Sequence, residues 1–341
     1  MKPKILITGA SGFIGTHLVN DALDRDFETW AAVRKTSSKT WLKDKRINFI
    51  ELNLSSEEQL KEQLKDKQFD YVVHAAGVTK CLHQEDFFRI NTEGTKNLVR
   101  AILSLKMPLK RFVFISSLSV MGAIREEEPH TEILESDTPQ PNTAYGRSKL
   151  ETEQWLAQLN EELKSKNETF PYIVLRPTGV YGPRERDYLM VFKSIKNHVD
   201  FSVGYKRQDI TFIYVKDVVQ AVFQSLEKGQ IGRCYFLSDG EVYQSSTFSN
   251  LIRKELGNPW WIRIKAPLWV LWVITRCGEY AGHLTGKVTA LNKDKYNIMR
   301  QRNWRCDITA AREDLGFEPE IQLEEGVSRC FEFFGLQGWD Q

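Results

Sequence analysis

The apolar positions of the first two-thirds of the chain follow two alternating patterns. Short runs that are almost continuously apolar or β-branched predict strands at Lys4–Thr8, Glu28–Val33, Ile47–Leu52, Tyr71–His74, Phe112–Ser116 and Ile173–Leu175. Continuous rather than alternating runs are what strands need when both faces are buried in a parallel sheet. Between them, apolar residues recur three and four apart. In Phe13–Arg25, for example, Ile14, Leu18, Ala22 and Leu23 share one side. Further helices are predicted at Glu57–Leu64, after the capping box Ser55-x-x-Glu58, and at Asn91–Leu105 and Tyr145–Lys164. The Pro-, Asp- and Thr-rich stretch Leu134–Thr143 reads as a loop. Strand–helix alternation of this kind predicts an α/β fold with a doubly wound parallel sheet.

After Arg176 the pattern loosens. Phe212–Tyr214 and Tyr235–Leu237 read as strands around a helix at Asp217–Leu226, and Thr247–Leu256, Leu268–Leu284, Thr309–Leu315 and Leu323–Phe334 as helices. This predicts a nucleotide-binding (Rossmann) domain over 1–176, joined by about 211–238. A smaller, mostly helical, interleaved lobe over 177–210 and 239–341 would hold the substrate.

Composition narrows the function classes. Among 341 residues, 47 Lys and Arg against 45 Asp and Glu leave a net charge of +2, so nothing global attracts nucleic acid or an anionic membrane. The five cysteines show no C-x-x-C spacing, which excludes a zinc ribbon or a disulfide framework. No metal is expected, because His17, His83, His130, His198 and His283 lack ligand spacing. The longest apolar run, Ala266–Ile274, is about half what a membrane-spanning helix needs, and no secretory signal is visible. The expected compartment is the cytoplasm.

The most specific motif is Thr8-Gly9-Ala10-Ser11-Gly12-Phe13-Ile14-Gly15, which closes the first strand and opens the first helix. Gly9 permits the tight turn, Gly12 lets a pyrophosphate approach the backbone, and Gly15 lets helix and sheet pack closely. The free N–H groups at the helix start favour phosphate. The G-x-x-G-x-x-G spacing resembles the fingerprint of the extended short-chain dehydrogenase/reductases, the NAD-dependent epimerase/dehydratase family. The likeness continues through His74-Ala75-Ala76-Gly77, Asn91-Thr92-Glu93-Gly94-Thr95, Phe114-Ile115-Ser116-Ser117, Tyr145-Gly146-Arg147-Ser148-Lys149 and Arg176-Pro177-Thr178-Gly179-Val180-Tyr181-Gly182-Pro183. It also covers Phe212-Ile213-Tyr214-Val215-Lys216-Asp217-Val218 and Leu315-Gly316-Phe317-Glu318-Pro319. The resemblance implies a nicotinamide cofactor along Gly9, Ser11, Gly12, Phe13, Ile14, Gly15, Arg34, Asn53, Leu54, Ala75, Ala76, Gly77, Tyr145, Lys149, Pro177 and Val180. It also implies a homodimer through two helices, one of them Tyr145–Lys164.

The residues after the second strand, Arg34-Lys35-Thr36-Ser37-Ser38, include no carboxylate for a ribose 2′-hydroxyl. Cations and hydroxyls suit a 2′-phosphate, so NADP is expected over NAD. Where the family often has Asp after the third strand, this chain has Asn53.

Tyr145 and Lys149 lie one helical turn apart on one face. A nearby ammonium favours the phenolate, so Tyr145 is the expected proton acceptor or donor while hydride moves. The catalytic set is completed by Ser117, beyond the carboxyl end of a strand, as donor to the substrate oxygen. His74 and Asn91 read as structural, and Asp217 as a helix N-cap.

The expected activity is therefore NAD(P)-dependent hydride transfer to or from a hydroxyl or carbonyl group. The alternatives are a nucleotide-sugar epimerase and a non-catalytic cofactor-binding regulator. Relative to the family, Leu118-Ser119 replaces the dehydratases' Asp-Glu pair. Gly179 replaces the epimerases' usual Asn, and Ile210 stands where they often carry a diphosphate-binding Arg. These departures favour a small-molecule substrate of apolar character. Four of the nine tryptophans fall between Trp260 and Trp272. The segment Pro259–Ile274 reads first as a core or lid helix, and also as a wall of an apolar pocket or, with Arg263, Lys265 and Arg276 beside it, as a peripheral membrane contact.

Overall fold

The computed structural model describes residues 2–286, 289 and 292–337. Its centre is a wholly parallel sheet of seven strands: β1 (Lys4–Thr8), β2 (Glu28–Val33), β3 (Asn48–Glu51), β4 (Tyr71–His74), β5 (Arg111–Ile115), β6 (Tyr172–Pro177) and β11 (Cys234–Leu237). The spatial order is β3-β2-β1-β4-β5-β6-β11, so the connections leave β1 in opposite directions. A crevice for ligand opens where the order reverses, beyond the carboxyl ends of β1 and β4.

Both faces of the sheet are covered, which explains the unbroken apolar runs. Ile5 and Ile7 of β1 pack with Leu18, Val19 and Ala22 of α1 (Phe13–Asp24) and with Val218 and Val222 of α7 (Val215–Glu227). Leu6, between them, points to the other face. There it meets Leu60 of α2 (Glu57–Leu64), Leu98 and Ile102 of α4 (Gly94–Ser104) and Leu156 of α5 (Ala144–Lys164). Period-two alternation thus divides one strand between two cores.

The predicted helix Asn91–Leu105 is interrupted. A short α3 (Gln84–Phe87) runs into a π-type turn, Phe88–Glu93, before α4 begins. Within this wide turn the Asn91 and Thr92 side chains bond outward, to residue 78 and to Ser148 of α5.

The remaining elements form the lobe. They are β7 (Gly179–Tyr181), α6 (Arg186–Lys196), β8 (Val199–Val203), β9 (Asp209–Ile210), β10 (Phe212–Tyr214), β12 (Tyr243–Gln244), α8 (Thr247–Glu255), β13 (Ile262–Ala266), α9 (Leu268–Thr285), α10 (Lys293–Arg300) and α11 (Leu323–Gln337). A third core of Tyr181, Phe192, Phe212, Phe248, Val327 and Phe334 joins α6, α8 and α11 to β7 and β10. Of the 211–238 segment, β11 extends the main sheet, whereas β10 pairs with β7 in a sheet of its own. The helix α10 and the strands β8 and β13 carried little sequence signal, because they are short or leave their apolar side chains exposed, whereas the three-residue spacing of Leu189, Phe192 and Ile195 in α6 was a signal that went unread.

In the tryptophan segment the helix α9 falls where Leu268–Leu284 was expected, but it is preceded by the strand β13 and neither is core: Trp260, Trp269 and Trp272 are exposed at 67%, 70% and 48%. The inward stripe of α9 is narrow, running through Leu271, Thr275 and Gly282. Small residues there let α9 lie on α10 without turning its large side chains inward. No described helix is long and apolar enough to cross a membrane.

Candidate active site

The Gly-rich turn is fixed by contacts no side chain can share. Gly9 has φ +68°, and a β-carbon there would stand 2.6 Å from the backbone of Ala75. One at Gly15 would stand 2.1 Å from the Gly9 carbonyl oxygen. The turn after β1 and the Ala75–Gly77 turn after β4 are thereby pressed together at the crevice, and the Ala76 N–H reaches the Thr8 hydroxyl at 3.3 Å. Gly12 is the N-cap of α1, and no side chain caps the helix, so its first N–H groups face outward for an anion. Ile14, Ala75 and Val180 pack on the same core, and the turn at Gly182, after β7, touches the Phe13 ring. Ser11 is half-buried beside them, and Pro177 ends β6 next to Leu237 of β11. These residues form a continuous cradle that suits a dinucleotide's phosphates.

Beside this cradle Arg184 adds a cation that sequence reasoning missed. Its guanidinium lies 4.6 Å from the Trp41 ring centroid, and its Nε and Nη1 are buried with no hydrogen-bond partner among the described residues. His17 donates from Nε2 to the Pro183 carbonyl at 3.2 Å. Burial, followed by the charge of Arg184, holds His17 down at about 4.

Arg34 follows β2 and Asn53 follows β3, at adjacent strand ends on the crevice side. The Arg34 and Lys35 side chains are exposed, and neither has an ion-pair partner among the described residues. Asn53 is already committed. Its Oδ1 accepts from the Ser55 N–H and hydroxyl at 3.1 and 2.7 Å, and its Nδ2 donates to Gln59 at 2.8 Å. It organises the entry to α2, while the Leu54 carbonyl accepts from Asn97 at 3.0 Å.

The three expected catalytic residues converge. Ser117 follows β5 in extended backbone, and its Oγ accepts the Ser119 N–H at 3.2 Å and donates to the Ser119 hydroxyl at 3.1 Å. Thr143 caps α5 by accepting the Gly146 N–H at 2.9 Å. A β-carbon at Gly146 would stand 2.5 Å from the Ser119 carbonyl oxygen, so only glycine lets the helix approach this turn. The approach brings the Tyr145 hydroxyl toward the Ser117 side chain, whose hydroxyl favours the phenolate. Lys149, one turn on, donates to the Ile115 carbonyl at 2.8 Å and lies 4.6 Å from the Phe114 ring centroid. Its Nζ also faces Gly77, 3.5 Å from where a β-carbon there would be.

The electrostatics differ from the sequence expectation. Burial pushes Tyr145 up to about 12, and the Ser117 hydroxyl only partly opposes it. The ammonium of Lys149 is spent on the Ile115 carbonyl rather than on the phenol. Burial also pulls Lys149 down to about 8, against the charge of Glu153.

Other elements hold this group in place. Asp294 of α10 accepts the Ala144 and Tyr145 N–H groups at 2.9 and 3.3 Å, a carboxylate at a helix N-terminus supplied from 149 residues away. Phe87 meets the Tyr145 ring edge-on at 6.3 Å. Glu153, two turns beyond Tyr145, is buried and takes Arg176 at 3.2, 3.2 and 2.5 Å and the Ser116 hydroxyl at 2.5 Å. Only the spacing of Glu153 from Lys149 was visible in the sequence. Asp294 and Arg184 carried no signal at all.

His74 is structural: it is fully enclosed, with both ring nitrogens bonded, to Thr8 at 2.7 Å and Thr95 at 2.8 Å. Asp217 is not the N-cap of α7, which is Tyr214. It lies in the first turn and accepts the Glu320 and Ile321 N–H groups, both at 3.2 Å. Among the described residues no group of three or more His, Cys, Asp or Glu could hold a metal. The side chain of His283 lies outside those described.

The chain resembles known proteins over nearly its whole length. The chain is 25% identical to a UDP-glucose 4-epimerase of Vibrio cholerae over 98% of this chain and 96% of that one. It is 23% identical to a decarboxylating sterol-4-alpha-carboxylate 3-dehydrogenase of Candida albicans over 95% of each. A Thermus thermophilus UDP-glucose 4-epimerase, solved in complex with NAD, superposes with a TM-score of 0.76 at 20% identity over 97% of this chain and 99% of that one. The model of the NAD dependent epimerase/dehydratase family matches residues 5–237, which span the cradle, the Ser-Tyr-Lys group and the whole central sheet, and the chain belongs to that family.

Proposed function

We propose that the chain is an NAD(P)-dependent oxidoreductase acting on a hydroxyl or carbonyl carbon. The observation that carries this reading is the convergence of Ser117, Tyr145 and Lys149, with α5 pressed on the Ser117–Ser119 turn through Gly146 and the Lys149 ammonium facing Gly77 at the edge of the glycine cradle. When bound, the nicotinamide accepts or donates the hydride and its oxidised form brings a positive charge. That charge opposes the burial that keeps the Tyr145 phenol neutral. In the oxidative direction Tyr145 takes the proton of the substrate alcohol at its hydroxyl oxygen, and in reduction it returns that proton to the forming alkoxide. Ser117 donates to the same substrate oxygen. In this reading Lys149, whose ammonium faces Gly77, holds the cofactor's ribose side. The main chain at Gly9–Gly15 and the α1 N-terminus hold the pyrophosphate.

NADP is the preferred cofactor in this reading, because the exposed Arg34 and Lys35 remain free for a 2′-phosphate and no carboxylate stands at that strand end. A simple dehydrogenase is preferred over an epimerase. A β-carbon at Gly179 would stand 2.8 Å from the Tyr188 hydroxyl, so Tyr188 fills the space an amide side chain would need there. Arg207, the nearest cation to the expected diphosphate position, is tied to the buried Asp209 at 2.8 Å. The epimerase reading retains the support of the end-to-end likeness to a UDP-glucose 4-epimerase.

The test follows nicotinamide absorbance with both cofactors against a panel of apolar ketones and alcohols and uridine-diphosphate sugars. Net formation or consumption of reduced cofactor with a ketone or alcohol is expected. Tyr145→Phe is expected to lower the rate about 10²–10⁴-fold while cofactor binding persists. Full turnover by that variant overturns the catalytic assignment. Sugar interconversion without net change in the cofactor establishes the epimerase instead.

A further inference from the structure

We infer that the β8–β13 ribbon and the outer side of α9 form one face that docks on an anionic lipid surface. Among the described residues sixteen large hydrophobic side chains are exposed, and twelve of them belong to β8, the turn after it and residues 260–284. Monomeric proteins rarely leave so large a contiguous apolar patch without a partner.

The two elements present it differently. In the ribbon, Ile262 pairs with Val199, Ile264 with Phe201 and Ala266 with Val203. Paired residues of a parallel ladder point the same way, so these six make one wholly apolar face. Phe201 and Ile262 are exposed at 66% and 58%. The opposite face carries Arg263, which binds Asp200 at 2.6 Å, and Lys265. The helix α9 is inverted. Leu271, Thr275 and Gly282 turn inward, and Leu268, Trp269, Trp272, Val273, Ile274 and Tyr280 turn outward.

Charge selects the occupant. Residues 199–207 and 260–285 contain five Lys and Arg against two Asp and Glu, a net of +3 where the whole chain has +2. A second copy related by two-fold symmetry would bring these cations against their own equivalents. An anionic bilayer accepts both features. Tryptophan and tyrosine rings settle at the headgroup level, and Lys and Arg reach the phosphates with their stems on apolar surface. The face lies on the bilayer rather than spanning it, since α9 has 18 residues and includes Arg276 and Glu279.

The face leads toward the candidate active site. Trp272, Thr275 and Arg276 line a cleft shared with Lys293, Tyr296 and Asn297 of α10. Asn297 bonds the Asn142 carbonyl at 2.7 Å, just before the start of α5. Docking does not depend on the reaction proposed above, and vesicle binding is measured without turnover, so the two readings fail separately.

The experiment is co-sedimentation with phosphatidylcholine vesicles, with and without about one-third phosphatidylglycerol. Binding to the anionic vesicles is expected, weakening as salt rises. Trp269→Ser with Trp272→Ser is expected to abolish it. Arg276→Glu is expected to weaken it more than about fivefold, given roughly fivefold for each surface cation lost. Thermal unfolding and NADP(H) binding identical to the parent certify that each variant is folded. Absence of binding to anionic vesicles overturns the proposal. So does a dimer in sedimentation velocity, without vesicles, that the tryptophan variant dissolves, since a second copy then covers the face.

Discussion

Replacing Glu153 with Leu tests how the catalytic helix is held. Arg176 is 6% exposed, and its guanidinium is bonded to Glu153 through three contacts of 2.5 to 3.2 Å. Removing the carboxylate alone leaves a buried, unpaired cation and takes the acceptor from the Ser116 hydroxyl. Breaking such a pair from one side costs about 3–5 kcal/mol. For 341 residues the unfolding entropy is about 0.7 kcal/mol/K, so the expected fall in Tm is about 4–7 °C. Arg176→Met should cost a similar amount, by leaving a buried carboxylate. The double variant Glu153→Leu/Arg176→Met should recover most of the loss. What remains is about 1 kcal/mol for the unmatched Ser116 hydroxyl. Urea denaturation of all four proteins, read at constant m-value, gives the coupling energy of the cycle. A coupling below about 1 kcal/mol, with the two single losses simply adding, refutes the reasoning. Nothing in this experiment requires a substrate.

Three further outcomes are expected. Burial holds His74 down at about 3, so its neutral form is required in the fold while the unfolded chain titrates near 6.5. Its stability is therefore complete above pH 6.5 and erodes as pH falls toward 3, by about 1.4 kcal/mol per unit. The urea-midpoint gap between the parent and His74→Asn should narrow between pH 6.5 and 4.5, and a constant gap contradicts the assignment. Arg34→Asp should lower NADP affinity far more than NAD affinity by fluorescence titration, and equal losses remove the 2′-phosphate role. Gly15→Ala places a β-carbon 2.1 Å from the Gly9 carbonyl and must push α1 off the turn. Loss of both cofactor binding and several degrees of Tm is expected, and an unchanged crystal structure with tight binding would disprove the cradle.

What the sequence determined by itself is the set of features written in adjacent residues. The strands β1, β2 and β4 fall where the unbroken apolar runs place them, because a strand buried on both faces has no polar side to interrupt it. Gly9 and Gly15 were legible because a missing β-carbon has a direct steric meaning, and Tyr145 and Lys149 because four residues make one helical turn. Tertiary structure decided the rest. Asp294 caps α5 from a distant helix, and Asn53 spends its carboxamide on Ser55 and Gln59 instead of facing the crevice. The ionisation of Tyr145 reverses its expected direction because burial, a property of everything packed around it, outweighs the neighbours that spacing reveals. The tryptophan segment shows the same limit. Its apolar composition announces removal from water, but which side of α9 is covered is set by its packing on α10, and the stripe turned inward is Leu271, Thr275 and Gly282, so the large rings remain outside. Local periodicity reports which residues share a face, and only the packed chain decides what that face meets.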